Sequence, residues 1–174
     1  MSQRFGPDNA RLTIRTGRTG GAAKAGHDLL IEVESWQATL DLEAQPALTL
    51  TADSRSLRVL EGTGGLKSLG DGDKADIKKT IDSEVLKGAA IEFRSSEVQE
   101  VPGGLSVRGE LSLGGKQAPV TFDLARGDDG HVSGSATVTQ SAHGIKPYST
   151  LFGALKVADD VTVAIDGKPS QASL

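Results

Sequence analysis

Apolar residues along most of this chain recur at every second position. Leu12 and Ile14 alternate with Arg11, Thr13 and Arg15; Leu29, Ile31 and Val33 share one parity, and Trp36, Ala38, Leu40 and Leu42 share the other. Such alternation turns one face of a β-strand to a core and the other to water. The parity switch at Glu34-Ser35 requires a bulge or tight turn, because a one-residue slip otherwise sends the apolar set into solvent. After Pro46, Leu48, Leu50 and Ala52 alternate with threonines, and the phase changes again by Leu57 and Val59, which predicts a bent strand. Beyond Ala90 the pattern is β throughout, through Ile91 and Phe93, Leu105 to Leu113, Val120 to Leu124, Val132 to Val138, and Val161 to Ile165. Pro102-Gly103-Gly104, Gly114-Gly115 and Asp128-Asp129-Gly130 are the turn signals between these stretches.

Two stretches have a different period. Ile77, Ile81 and Val85 recur every four residues among Lys74, Lys78, Lys79, Asp82 and Glu84, which predicts an amphipathic helix over about 73–87. Asp71 or Asp73 caps it and Gly88 stops it. Tyr148, Leu151, Phe152 and Leu155 also fall at helical spacing behind Pro147, predicting a helical turn in a loop that leads into the last strand. That loop is where a mouth is expected. Nearly every strand is polar on one side, unlike the continuous apolar runs of a parallel sheet covered on both faces. The expected class is all-β, an antiparallel barrel or sandwich of about eight strands with one accessory helix.

The length of 174 residues suits a single domain, 1–174, with frayed ends. A net charge of −4 and the absence of any Lys/Arg cluster argue against nucleic acid as a partner. There is no cysteine, hence no disulfide, thiolate metal site or cysteine nucleophile. His27, His131 and His143 show no metal-ligand spacing, so no metal site is assigned. Asp71, Asp73 and Asp76 crowd a helix start, where capping accounts for them. Gly62-Thr63-Gly64-Gly65 lacks the lysine of a phosphate loop. No Ser–His–Asp pattern stands out, and no catalytic residue is assigned. No stretch approaches the roughly 20 apolar residues of a membrane-spanning helix, and residues 1–10 lack the apolar run of a signal peptide. The expectation is a soluble, cytoplasmic protein without an integral membrane segment.

Only six aromatic residues are present, and the inward set includes Ala38, Ala52, Gly109, Gly134 and Ala136. A barrel of about eight strands has an interior that side chains just fill or that holds one small ligand. Small residues keep such a lumen open unless leucines opposite occupy the space.

Gly26-His-Asp-Leu-Leu-Ile-Glu-Val33, Asp73-Lys-Ala-Asp-Ile-Lys-Lys-Thr80, Ile91-Glu-Phe-Arg-Ser95 and Gly144-Ile-Lys-Pro-Tyr148 followed by Val161 occur in this order. Together they resemble the YceI-like family of lipocalin-like, polyisoprenoid-binding proteins, and within it a cytosolic, actinobacterial-type member. The likeness covers about residues 8–166. Val107-Arg-Gly-Glu-Leu-Ser-Leu113 with Ala118-Pro-Val120 is similar to a hairpin of the family. His143 stands where many relatives carry an aromatic residue, and the family's Arg-Asp-x-His-Leu pattern is replaced by Asp73 to Thr80. These departures bear on ligand detail and leave the fold untouched. The resemblance implies an extended antiparallel barrel that binds, carries or stores a long isoprenoid lipid, of prenyl quinone or prenyl phosphate type, in an apolar tunnel. It implies no cofactor beyond that lipid and no catalytic residue, and by analogy with relatives it implies a homodimer.

For the tunnel wall the candidates are Leu29, Ile31, Leu50, Ile91, Phe93, Val107, Leu111, Phe122, Val138 and Val163, each of which is equally readable as ordinary core. Leu151 and Phe152 are candidates for closing over the tail, and His27, His143, Lys146 and Tyr148 for meeting a polar head. A lone lysine is more often solvated, and a histidine beginning a strand more often a turn residue. Two other readings stay open. One is an isomerase- or cyclase-type barrel enzyme, with His27 or His143 as its base. The other is a ligand-free interaction module that docks through residues 148–155.

Overall fold

A computed structural model describes residues 2–21, 26–65, 68–150 and 155–171. The first run, β1 (Ser2–Phe5) and β2 (Ala10–Arg15), bends at residues 6–9. Asn9 holds the bend: its Oδ1 accepts from the Gly6 N–H at 2.8 Å and its Nδ2 donates to Arg4 O at 2.9 Å. The two-residue β3 (Arg18–Thr19) follows, then β4 (Asp28–Val33) and β5 (Trp36–Asp41). Between the last two the apolar parity switches, so that Ile31, Val33, Trp36, Ala38 and Leu40 are all buried. The second phase change separates β6 (Ala47–Ala52) from β7 (Leu57–Thr63). The two bends are tied together, Asp53 N–H donating to Ser35 O and Glu34 N–H to Ser56 O, each at 2.9 Å.

The helix α1 (Asp71–Thr80) continues into a π-helical turn, Ile81–Val85. Its N-cap is Gly70, and not Asp71 or Asp73. Asp73 acts from inside the first turn, its carboxylate accepting the Gly70 N–H at 3.0 Å, where the helix dipole also favours negative charge. Lys87 and Gly88, with φ of 53° and 70°, end the helical stretch. Then come β8 (Ile91–Val101), β9 (Gly104–Leu113), β10 (Lys116–Arg126) and β11 (Val132–Thr139). A 3₁₀ turn (Gln140–His143) leads to β12 (Ser149–Thr150), β13 (Leu155–Val157), β14 (Asp160–Gly167) and β15 (Ser170–Gln171). Residues 151–154 of the helical turn predicted behind Pro147 lie outside the described residues; on either side of them β12 and β13 pair antiparallel, Ser149 opposite Lys156.

One antiparallel sheet holds twelve segments in the order β15-β1-β5-β6-β8-β9-β10-β11-β14-β2-β4-β7, and β12-β13-β3 form a second, small sheet. The sequence predicts about eight strands. Twelve segments appear because bends divide the runs β1/β2, β4/β5, β6/β7 and β14/β15. Rejoined across the bends, the segments make eight long runs whose pairing closes on itself. β6 pairs with β5 and β8, while its continuation β7 pairs with β4. β7 has no second strand partner among the described residues, and α1 packs against it. The result is an all-β, lipocalin-like barrel whose one weak seam is covered by its one helix.

Two glycines differ sharply in what they contribute. A Cβ on Gly109 in β9 would meet Arg94 O and, at 2.6 Å, the Phe93 ring, whereas a Cβ on Gly72 in α1 would meet nothing within 4 Å. Gly109→Ala is expected to destabilise by about 1–3 kcal/mol through overpacking. Gly72→Ala is expected to stabilise by up to about 1 kcal/mol through helix propensity. Urea denaturation of the two variants beside the parent checks both signs.

Candidate functional site

The inward side chains of the ring enclose a cavity of about 610 Å³. That lies within the roughly 300–1,000 Å³ common for sites that surround a small organic ligand. Ala38, Ala52, Gly134 and Ala136 form part of its wall, and their shortness leaves space that longer side chains would occupy. Gly109, the fifth small residue of the inward set, is not on the wall; its missing side chain makes room for Phe93. Phe93 and Phe122 stand together on the wall, ring centroids 5.5 Å apart and tilted by 55°. Ile77, Ile81 and Val85 of the helical stretch close the remaining side. No residue of that stretch is fully buried: Ile77 and Ile81 pack against the core on one side and border the cavity on the other.

Nine of the predicted wall residues line this cavity: Leu29, Ile31, Leu50, Ile91, Phe93, Leu111, Phe122, Val138 and Val163. Val107 does not. It is wholly shut off from solvent, like Leu105, in the close-packed part of the interior. Strand parity assigns a residue to the inside of a barrel but says nothing of its depth along the axis. Leu151 and Phe152 lie outside the described residues. Trp36 is buried in the core and off the cavity wall, with no hydrogen-bond partner for its Nε1.

Several polar wall residues, Thr16, Arg18, His27, Tyr148 and Lys156, come from the end of β2, the start of β4 and the small sheet of β3, β12 and β13 with its flanks. His27 and Tyr148 are on the cavity wall there, with Tyr148 39% exposed. His143 and Lys146 are not. The 3₁₀ turn folds His143 inward to 3% exposure, its Nδ1 3.1 Å from Thr139 O and its Nε2 buried without a partner. Asp159 locks the turn by accepting from Ser141 N–H at 2.8 Å. Lys146 is exposed and stands off the cavity. In place of these two the wall carries Arg18 and Lys156, neither singled out by the sequence. Their strands have two and three residues, too few for any periodicity, and the pairing that joins them, Arg18 opposite Val157, spans most of the chain.

Other charged groups are spoken for elsewhere. His131 pairs with Asp166 at 3.0 Å. Asp129, in the same hairpin, is held below the usual carboxylate range by the His131 N–H first and by Lys168 second. Among the described residues no three His, Asp or Glu side chains are placed to hold a metal ion. No helix among them is long and apolar enough to cross a membrane.

The model of the YceI-like domain family matches residues 12–168. The chain belongs to the YceI-like family. Among solved structures it is similar to BcnA of Burkholderia cenocepacia, at a TM-score of 0.66 and 15% identity, covering 90% of this chain and 94% of that one. The Campylobacter jejuni YceI protein aligns with a TM-score of 0.56 at 14% identity, covering 82% and 85%. A polyisoprenoid binding domain from Saccharophagus degradans, implicated in plant cell wall breakdown, aligns with a TM-score of 0.52 at 7% identity, covering 95% and 98%. No curated protein matches the chain by sequence. At these identities the likenesses establish the fold, and the family match establishes the YceI-like membership.

An open lumen in this YceI-like barrel has a direct test. Ala136→Trp is expected to fold with a native circular dichroism spectrum, since the added ring enters space and avoids the roughly 1–3 kcal/mol cost of overpacking. The parent protein is expected to enhance the fluorescence of N-phenyl-1-naphthylamine, and the same change to abolish that enhancement. Unchanged enhancement would place the dye elsewhere.

Proposed function

We propose that this protein binds, carries or stores a long-chain isoprenoid lipid inside the barrel. The observation that carries this reading is a closed ring with an interior space of about 610 Å³ whose wall is mostly apolar. The family membership and the polyisoprenoid binding named for the Saccharophagus domain support it.

The volume sets a scale for the tail. At roughly 30 Å³ for a water- or methylene-sized group, about 610 Å³ admits about 20 carbons, or about four isoprene units. Burying each CH₂ is worth about 0.8 kcal/mol, so such a tail offers about 16 kcal/mol before the costs of ordering and association. Apolar burial therefore dominates affinity, and the head group acts chiefly on selectivity.

Organic extraction and mass spectrometry of the purified protein are expected to release a prenyl lipid. Titration of the delipidated protein with prenyl alcohols of increasing length is expected to show affinity rising to about 20 carbons and then levelling, as added units find no wall. Absence of binding at every length would end the proposal. A barrel enzyme would need a base on the wall, and of the two histidines considered only His27 is there. His27→Ala is expected to leave prenyl-alcohol affinity within about threefold of the parent, the change expected when a minor polar contact is lost.

A further inference from the structure

Resting on that reading, we infer that the lipid's head group is an anion, a phosphate or a carboxylate, and that Arg18 holds it. The cavity wall is aliphatic except for a small polar set, and the fully charged members of that set are Arg18, Lys156 and Asp76. Two positive charges thus oppose one negative charge, in a chain whose net charge is −4. His27 stands beside them on the wall.

Arg18 is built in, unlike a surface cation. Its side chain is 23% exposed. Its Nε lies 3.0 Å from Asp28 Oδ1, and its Nη1 donates to the Gly26 carbonyl. These two bonds fix the plane of a group that carries five donors in a rigid fork suited to phosphate and carboxylate. The end of β7 then closes over it. Gly64 and Gly65 take φ of +79° and +74°; a Cβ on Gly64 would meet the guanidinium nitrogens at 2.7 Å, and one on Gly65 the His27 ring at 2.5 Å. Backbone is thereby brought close to both side chains, in a positive-φ conformation that favours glycine at the two positions. A neutral quinone or alcohol gains little from a guanidinium immobilised on an apolar wall, whereas an anion there meets it in a low-dielectric setting that strengthens the attraction. Asp28 offsets part of the Arg18 charge, and Lys156, exposed at the rim, restores the positive balance.

The test uses the delipidated full chain and three probes with one tail: geranylgeranyl monophosphate, geranylgeranoic acid and geranylgeraniol. Each is titrated by displacement of N-phenyl-1-naphthylamine. At least one anion is expected to bind about 10- to 100-fold more tightly than the alcohol, as a hydrogen bond to a charged group provides. Whichever anion leads names the head. Arg18→Gln is expected to erase the preference, the anions falling to the alcohol's affinity, and Arg18→Lys to retain part of it. Lys156→Gln, at an exposed position, is expected to reduce the preference by about two- to threefold and to do so only at low salt. Equal binding of alcohol and anions by the parent would overturn the assignment and leave the lipid reading standing. So would a preference that survives Arg18→Gln. Loss of alcohol and anion alike in that variant would reduce Arg18 to a pin between β3 and β4. If none of the three probes binds the parent protein, the lipid reading itself fails and this inference with it.

Discussion

A closed ring of hydrogen-bonded strands has an interior whose width is set by backbone geometry and not by the side chains inside it. Eight runs fix that width here, and the sequence then decides how much of it is filled. Leu105 and Val107 fill one part completely. Elsewhere the inward positions carry Ala38, Ala52 and Ala136, and the backbone cannot move in to meet them because β5, β6 and β11 are each paired on both sides. In a layered protein, two sheets facing alanines would approach one another. In a ring they cannot, and a cavity remains.

The same constraint explains the bends and the helix. A strand long enough to cross the barrel twists away from its neighbour, and the chain absorbs this with parity switches after Val33 and after Ala52. The backbone bonds between Ser35 and Asp53 and between Glu34 and Ser56 keep the two switches in step. Beyond the second switch β7 stays with β4 and leaves β8, so the seam exists because the bend does. The apolar stripe of α1 and its π-helical turn covers the seam, Ile77 and Ile81 packing partly on the core and partly bordering the cavity. An occupant of the cavity would complete the burial of Ile77, Ile81 and Val85, coupling the order of the helical stretch to occupancy.

Features carried by a local period were legible in the sequence: the alternating strands, both parity switches, the helix and most of the aliphatic wall. Depth was not legible. Val107 and Leu111 share a parity and a face, yet one is sealed in packed core and the other borders the cavity. Juxtapositions made by very short strands were not legible either. Arg18 sits in a glycine-rich stretch that reads as loop, and only the pairing of β3 with β13 brings it to the wall beside Lys156. The placing of His143 was not legible for a related reason: a 3₁₀ turn of four residues has no sequence period, and it turns this side chain inward, off the cavity wall.

These two kinds of information impose different demands on sequence. The wall asks only that inward positions be apolar and of limited size, which many sequences satisfy, so the fold persists in structures that share 7–15% identity with this chain. The polar end asks for particular groups in particular places: a guanidinium oriented by Asp28 and Gly26, and glycines that let the end of β7 lie against it. On the lipid reading proposed above, selectivity comes from those few residues and not from the wall. In this chain Arg18 and Lys156 sit on strands of two and three residues, where strand pairing constrains sequence least.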